Sequence, residues 1–222
     1  MIELHSKHFL RLHPKFTGMH EFNGTKKWFV NGKLHRTDGP AVERSDNLCA
    51  WYKKGKLHRT DGPALLCEDF YGEWFVNGKR HREDGPAVFK PNQEKWYLNG
   101  KLHREGGPAY YFTQVGTMEM WYKHGKLHRT DGPALIDIHK TEWHLNGKLH
   151  REDGPACISE SGSKFWVKHG RKHREDGPAV EWYDGDEEWY LNDRYLSKKE
   201  YVIGLREIKL RNFIGEEDEI NK

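Results

Sequence analysis

Short aromatic and aliphatic stretches alternate along the chain with breakers of the Gly, Pro, Asn and Asp type, and the alternation has a fixed period. A Trp opens each stretch, at Trp28, Trp51, Trp74, Trp96, Trp121, Trp143, Trp166 and Trp189, with successive spacings of 23, 23, 22, 25, 22, 23 and 23 residues. After the Trp comes the string W-x-x-N-G-K-L-H-R-x-D-G-P-A with small changes, complete in seven copies. Self-similarity at this period marks a stack of supersecondary units, none of which can bury its apolar side alone. Within a unit, Asn31-Gly32 stands between Trp28-Phe29-Val30 and Lys33-Leu34-His35. That is a strong hairpin signal, because a type I′ turn needs φ > 0 at both central residues. Asn77-Gly78, Asn99-Gly100 and Asn146-Gly147 repeat it, while Lys54-Gly55, His124-Gly125 and His169-Gly170 keep the Gly. The Asp-Gly-Pro step then breaks the chain, since Pro fixes φ and donates no hydrogen bond. A second strand begins at Pro-Ala and returns through a loop of variable length to the next Trp, as at Asp184-Gly185.

The expected fold is therefore all-β. It is an elongated antiparallel β-meander of about eight tandem 23-residue two-strand repeats, about sixteen strands, each pairing with its sequence neighbours. Equivalent residues of consecutive repeats fall about 10 Å apart, so eight repeats span roughly 75 Å. Three segments follow: a degenerate half-repeat or cap over residues 1–27, the repeats over 28–196, and a cap over 197–222. At the N-terminal end, Leu12-His13 precedes Leu34-His35 by 22 residues, and Phe22-Asn23-Gly24-Thr25 reads as a hairpin. At the other end Ser197 and Glu200 form an S-x-x-E capping box, and Tyr201, Leu205 and Ile208 follow at helical spacing. A short helix from Lys198 to about Arg211 is expected to cover the last strand edge, which would otherwise invite aggregation. Glu216, Glu217, Asp218 and Glu219 make an acidic tail.

Composition narrows the class. Hydrophobic residues make up 35%, charged residues 32%, and the mean hydropathy is −1.00, too polar for a thick core. Aromatics at 13%, nine of them Trp, argue against disorder and for a thin sheet buried by large flat side chains. The formal charge is only +3, and acids and bases are interspersed, unlike the one-signed stripe of a nucleic-acid binder. Cys49, Cys67 and Cys157 are isolated and odd in number, as in a reducing compartment. With no apolar leader and no spanning run, a cytoplasmic location and no membrane partner are expected.

The aromatic pairs Trp28-Phe29, Trp51-Tyr52, Trp96-Tyr97 and Trp121-Tyr122, the N-G-K turn and the following His resemble the MORN repeat, most of all its bacterial and phage variant. The resemblance covers about residues 12–196. The chain departs from it in the H-R-x-D-G-P-A extension and in a four-residue Trp-to-Gly spacing. The resemblance implies hairpins stacked into an extended twisted sheet. For function it implies a binding or scaffolding module of antitoxin-like kind or from phage–host conflict, in the host cytoplasm if viral.

The recurring residues carry competing readings. Seven His recur after the turn, from His35 to His173. Metal or acid–base chemistry is set against a His packed edge-on against its cross-strand Trp and bonding a neighbouring backbone or Asp. The second is favoured, because equivalent His lie about 10 Å apart and a metal needs its ligands at about 2–2.3 Å. Arg36, Arg59, Arg82, Arg104 and Arg129 with the Asp two residues on form either an anion-binding ladder or, as favoured, a salt bridge pinning the Asp-Gly-Pro turn. Glu105-Gly106-Gly107 lacks that Asp, which is expected to leave Arg104 free. Phe29, Tyr52, Phe75, Tyr97, Tyr122 and Tyr190 form an aromatic ladder, either core or an interface bordered by these arginines. His144 and Val167 interrupt it, so the first five repeats carry the candidate partner-binding surface. No nucleophile elbow, phosphate loop, Rossmann fingerprint or H-E-x-x-H is present. The expectation is a non-enzymatic protein without cofactor that binds a partner protein. A nucleic-acid or nucleotide binder using Arg/Lys and aromatics is the alternative.

Overall fold

A computed structural model describes residues 8–68, 70–207 and 210. The fold is all-β, with a short helix at the C-terminal side. The chain divides into two compact bodies, residues 1–115 with 122–125, and residues 116–121 with 126–222.

Each repeat contains two hairpins, one narrow and one wide. In the second repeat the narrow hairpin pairs Tyr52–Lys53 with Lys56–Leu57, and the wide one pairs Leu65–Cys67 with Tyr71–Glu73. The register of the first narrow hairpin is the expected one, Phe29 opposite Leu34 and Val30 opposite Lys33. Both central turn residues have positive φ, 48° and 71° at Asn31 and Gly32, and 51° and 80° at Lys54 and Gly55. Wide hairpins of successive repeats pair side by side into antiparallel runs. Ala50 faces Leu65 and Glu73 faces Val88 in the first body, and Glu142 faces Cys157 and Phe165 faces Val180 in the second.

The strands are shorter and more numerous than expected, thirty among the described residues. The cause is a change of partner at every Trp. Trp51 donates its N–H to the Ala64 carbonyl of the wide ladder (2.8 Å) and accepts from the His58 N–H of the narrow hairpin (3.0 Å). Each expected strand is thus divided between two neighbours.

Narrow hairpins are joined to one another through their turns. In a type I′ turn the N–H groups of both central residues point away from their own hairpin, and each needs an acceptor. The preceding repeat provides both. Gly55 N–H donates to the Leu34 carbonyl (2.8 Å) and Lys54 N–H donates to Nδ1 of His35 (3.1 Å). A third bond runs the other way, from Arg36 N–H to the Tyr52 carbonyl (3.3 Å). The same His-to-turn bond recurs at His58, His81, His103, His128, His150 and His173, at 3.1–3.2 Å. Each such bond contributes about 0.5–1.5 kcal/mol net. The recurring His is therefore a backbone acceptor reaching into the next repeat.

The Arg-x-Asp-Gly-Pro-Ala step packs around one guanidinium. Cζ of Arg82 lies 4.0 Å from the Trp74 ring centre, its Nε donates to Asp84 (2.9 Å), and its Nη1 donates to the Pro86 carbonyl (3.4 Å). Gly85 is required there, since a Cβ on it would stand 2.6 Å from that Cζ. The Ala that closes the step is completely buried in all seven copies, Ala41, Ala64, Ala87, Ala109, Ala134, Ala156 and Ala179. The core is a row of small residues under half-buried Trp rings, consistent with the polar composition.

The ends substitute for missing repeats. Asn23-Gly24 turns the expected first hairpin, Gly18–Phe22 against Thr25–Val30. Leu12-His13 is not the equivalent of Leu34-His35, however. Residues 8–12 are helical, and Leu12 is 62% exposed. Phe16 and Thr17 take those places, the Phe16 carbonyl accepting from Gly32 N–H (2.8 Å) and Thr17 Oγ1 from Asn31 N–H (2.9 Å). The turn needs a carbonyl and a side-chain acceptor at fixed positions, and a Thr hydroxyl serves as well as an imidazole. At the C-terminal end the capping box forms, with Ser197 N–H donating to Glu200 (2.9 Å) and Glu200 N–H to Ser197 Oγ (3.3 Å). The helix covers residues 198–207, and position 210 is also helical. Tyr201 packs with Leu191 and Leu196, and its hydroxyl donates to the Arg174 carbonyl (3.0 Å) and accepts from Gly177 N–H (3.2 Å). Ile208, the expected helix end at Arg211 and the acidic stretch 216–219 lie outside the described residues.

Two outcomes follow from these contacts. Gly85→Ala is expected to push Arg82 off Trp74 and cost about 1–3 kcal/mol, read from the urea midpoint. His103 and His150 are held below the ordinary imidazole range, first by burial and then by the neighbouring rings of His124 and His169. Lys123 and Lys168 add to that lowering, and Glu105 and Glu152 oppose it. A lowered folded value means stability is complete above the ordinary value of 6.5 and is lost as pH falls through the folded one. Urea midpoints should thus drop between pH 7.5 and pH 5. The variant His103→Asn/His150→Asn, which keeps two acceptors but cannot be protonated, should show a smaller drop.

Candidate interaction surface

The arginines expected to border a binding surface are held inside their own repeats. Cζ of Arg36, Arg59, Arg82, Arg104 and Arg129 lies 4.0–4.1 Å from the ring centres of Trp28, Trp51, Trp74, Trp96 and Trp121. Four of them donate Nε to the Asp two residues on, at 2.8–3.0 Å. That bond holds Asp38, Asp61, Asp84 and Asp131 below the usual carboxylate range. Arg104, which lacks the Asp, stays on its Trp and donates Nη1 to the Pro108 carbonyl (3.2 Å).

The aromatic ladder divides. Phe29 is buried, 4% exposed, with Phe16 of the N-terminal cap against it at 6.1 Å between ring centres. Tyr52, Phe75, Tyr97 and Tyr122 are half-buried and all belong to the first body. Their cross-strand partners include Leu57, Arg80 and Leu102. Arg80 lies near two rings of the strip, with Cζ 5.3 Å from Phe75 and 5.7 Å from Tyr97. At the corresponding positions of the second body, His144 and Val167 are buried.

Two ionisable groupings went unseen in the sequence. Turn residues His124 and His169, standing where other repeats have Asn, stack on His103 and His150 with ring centres 4.4 and 4.2 Å apart. The spacing of about 10 Å holds between His at the same repeat position. A turn His reaches back to the preceding repeat, and the signal was its replacement of Asn. His150, Glu152 and His169 consequently bring three potential ligand atoms within 4.8 Å of one another. The His150 ring is already oriented, however. Its Nδ1 accepts from His169 N–H, so the neutral ring carries its proton on Nε2, which faces Glu152 at 3.2 Å. Lys168 reaches the same carboxylate at 3.2 Å. The arrangement suits a hydrogen-bonded ion pair better than a metal, which would have to displace that proton.

The other grouping is a buried Glu immediately before a Trp. Glu73 is 5% exposed and bound by Arg80 (2.6 Å) and the Tyr71 hydroxyl, which burial pushes well above its ordinary range. Glu142 is 9% exposed and takes bonds from Lys140 (2.7 Å) and His144 Nε2 (2.9 Å). The His144 and Lys140 bonds outweigh burial and bring Glu142 down to about 2, while burial and the Glu142 charge push the nearby Cys157 thiol up to about 11. Perturbed groups gathered in one place can mark catalysis. Here the shifts fix a carboxylate as charged and a thiol as protonated, the reverse of an activated nucleophile. Alkylation of Cys157 by iodoacetamide at pH 8 is expected to be at least roughly 100-fold slower in the native protein than in urea, followed by peptide mass spectrometry. Rapid native labelling would contradict the assignment.

Shallow polar clefts recur between successive return loops. One of about 400 Å³ is lined by Arg59, Asp61, Trp74, His81 and Asp84 among others, and one of about 580 Å³ by Arg129, Asp131, Trp143, His150 and Asp153 among others. No described helix is long and apolar enough to cross a membrane. No family model and no curated protein matches the chain, so its geometry carries the functional reading.

Proposed function

We propose that the protein is a non-catalytic repeat scaffold that binds a partner protein along the strip Tyr52, Phe75, Tyr97 and Tyr122. The observation that carries this reading is the recurrence of one half-buried aromatic ring in each of four successive repeats, beside Leu57, Arg80 and Leu102. Aromatic residues with a central Arg are the composition enriched where interfaces carry their affinity. At the Glu142 cluster the carboxylate is held charged and the Cys157 thiol protonated, which favours binding over catalysis there. Nucleic-acid stacking on the same strip is less well supported, because the five recurring arginines that would accompany it are clamped on Trp.

The hairpin stack agrees with what the MORN-variant resemblance implies, and we place the protein in that setting: a cytoplasmic, antitoxin-like or anti-host-defence factor. The test is affinity capture from host lysate with nuclease present, comparing the wild type with Tyr52→Ser/Tyr97→Ser, whose folding is checked by its urea midpoint. A stoichiometric protein that survives nuclease and falls at least about tenfold with the variant supports the reading, matching loss of about 1.4 kcal/mol or more of binding. Capture indifferent to the substitutions, or abolished by nuclease, would overturn it.

A further inference from the structure

The charges that are interspersed in sequence divide in the fold into paired groups and turn lysines without a carboxylate partner among the described residues. The R-x-D step places its carboxylates on the return loops, where Asp38, Asp61 and Asp84 are each matched by the Arg two residues before. The N-G-K turns place lysines at the hairpin tips. In the first body Lys33, Lys56, Lys79 and Lys101 are all exposed. Each stem leans over the Gly of the next turn: a Cβ on Gly55, Gly78, Gly100 or Gly125 would lie 3.5–3.7 Å from the preceding lysine's Cβ or its equal. The turn bonds thus set the lysine stems in file, one per repeat. At the N-terminal end of the file, Lys15 and Lys54 join Lys33 around a concavity of about 620 Å³, lined also by Val30, Asn31 and His35 and by no carboxylate. None of these six lysines is ion-paired to a carboxylate among the described residues.

We infer that this lysine ridge is a docking surface for the backbone of double-stranded nucleic acid, bound without regard to base sequence. Regularly spaced point charges on flexible stems match a rigid polymer that carries a phosphate charge about every 1.7 Å of its axis. The ridge offers neither the flat aromatic platforms that single strands stack on nor a helix or ribbon to enter a groove and read bases. An acidic polypeptide lacks the even charge spacing that would engage four successive turns at once. The inference goes beyond the proposed function and uses a different surface.

The experiment is fluorescence anisotropy of a labelled 24-base-pair DNA duplex, titrated with the full chain at 50–200 mM salt. With about four phosphates neutralised, affinity is expected to fall roughly 100-fold over that range, and equally for duplexes of unrelated sequence. Lys33→Gln/Lys56→Gln/Lys79→Gln/Lys101→Gln, with its urea midpoint checked, should lose most binding and flatten the salt dependence. The single variant Lys56→Glu should weaken binding several-fold if the quadruple variant folds poorly. Tyr52→Ser/Tyr97→Ser should bind the duplex as the wild type does, which separates this surface from the aromatic strip. Four results would overturn the inference: no binding at 50 mM salt, affinity insensitive to salt, affinity unchanged by loss of the lysines, or equally effective competition by polyglutamate at equal charge.

Discussion

The structure depends on how one turn satisfies its outward-pointing amides. A type I′ hairpin leaves two N–H groups without partners of its own, and in this chain the preceding repeat accepts both, one on a carbonyl and one on an imidazole nitrogen. Everything that recurs follows from keeping those two acceptors in place. The Gly of the turn lets the backbone adopt φ > 0 and also passes under the preceding lysine stem. The Trp holds the guanidinium that organises the Asp-Gly-Pro return, and the return positions the Ala that receives the next bond from Trp. Each repeat is thus completed by its neighbour, so a chain of them needs dedicated ends. Phe16 and Thr17 supply acceptors at one end, and Leu191, Leu196 and Tyr201 close the other.

A design in which the most frequent residues are structural has a functional consequence. The recurring His share one bond to the next turn, and the recurring Arg share one Trp contact. The surfaces proposed for recognition are the half-buried aromatics of the narrow hairpins and the exposed lysines at their tips. Around Glu142 the His144 and Lys140 bonds hold the carboxylate charged and so oppose proton exchange near neutral pH. The His150–Glu152–Lys168 chain follows the same logic, its tautomer dictated by a backbone bond.

Much of this was legible in the sequence because the signals were local. Asn31-Gly32 predicted the turn and its register, Ser197 with Glu200 predicted the cap, and the spacing of Arg36 and Asp38 predicted their ion pair. The readings that changed were those requiring knowledge of the neighbouring repeat. Strand continuity through Trp51 could not be judged without knowing that its N–H and carbonyl serve different partners. Leu12-His13 imitated the motif in letters but fell in a helix, whereas Phe16-Thr17 has no motif and supplies the acceptors. Whether Phe29 was core or interface stayed open in the sequence because its cover, Phe16, is a contact set by packing, and the contact of each recurring Arg with its Trp ring had no sequence signal.

The most direct measurement of the central interaction is residue-resolved amide hydrogen exchange at the turn positions. The N–H groups of Lys54, Gly55, Asn77, Gly78, Asn146 and Gly147 lie at exposed tips, where turn amides ordinarily exchange freely. If the preceding repeat accepts them as described, they will be protected to a degree comparable with strand amides such as those of Leu66 and Phe89. Exchange of these turn amides at the rate of unstructured chain, alongside protected strands, would contradict the account that turn docking holds the repeats together.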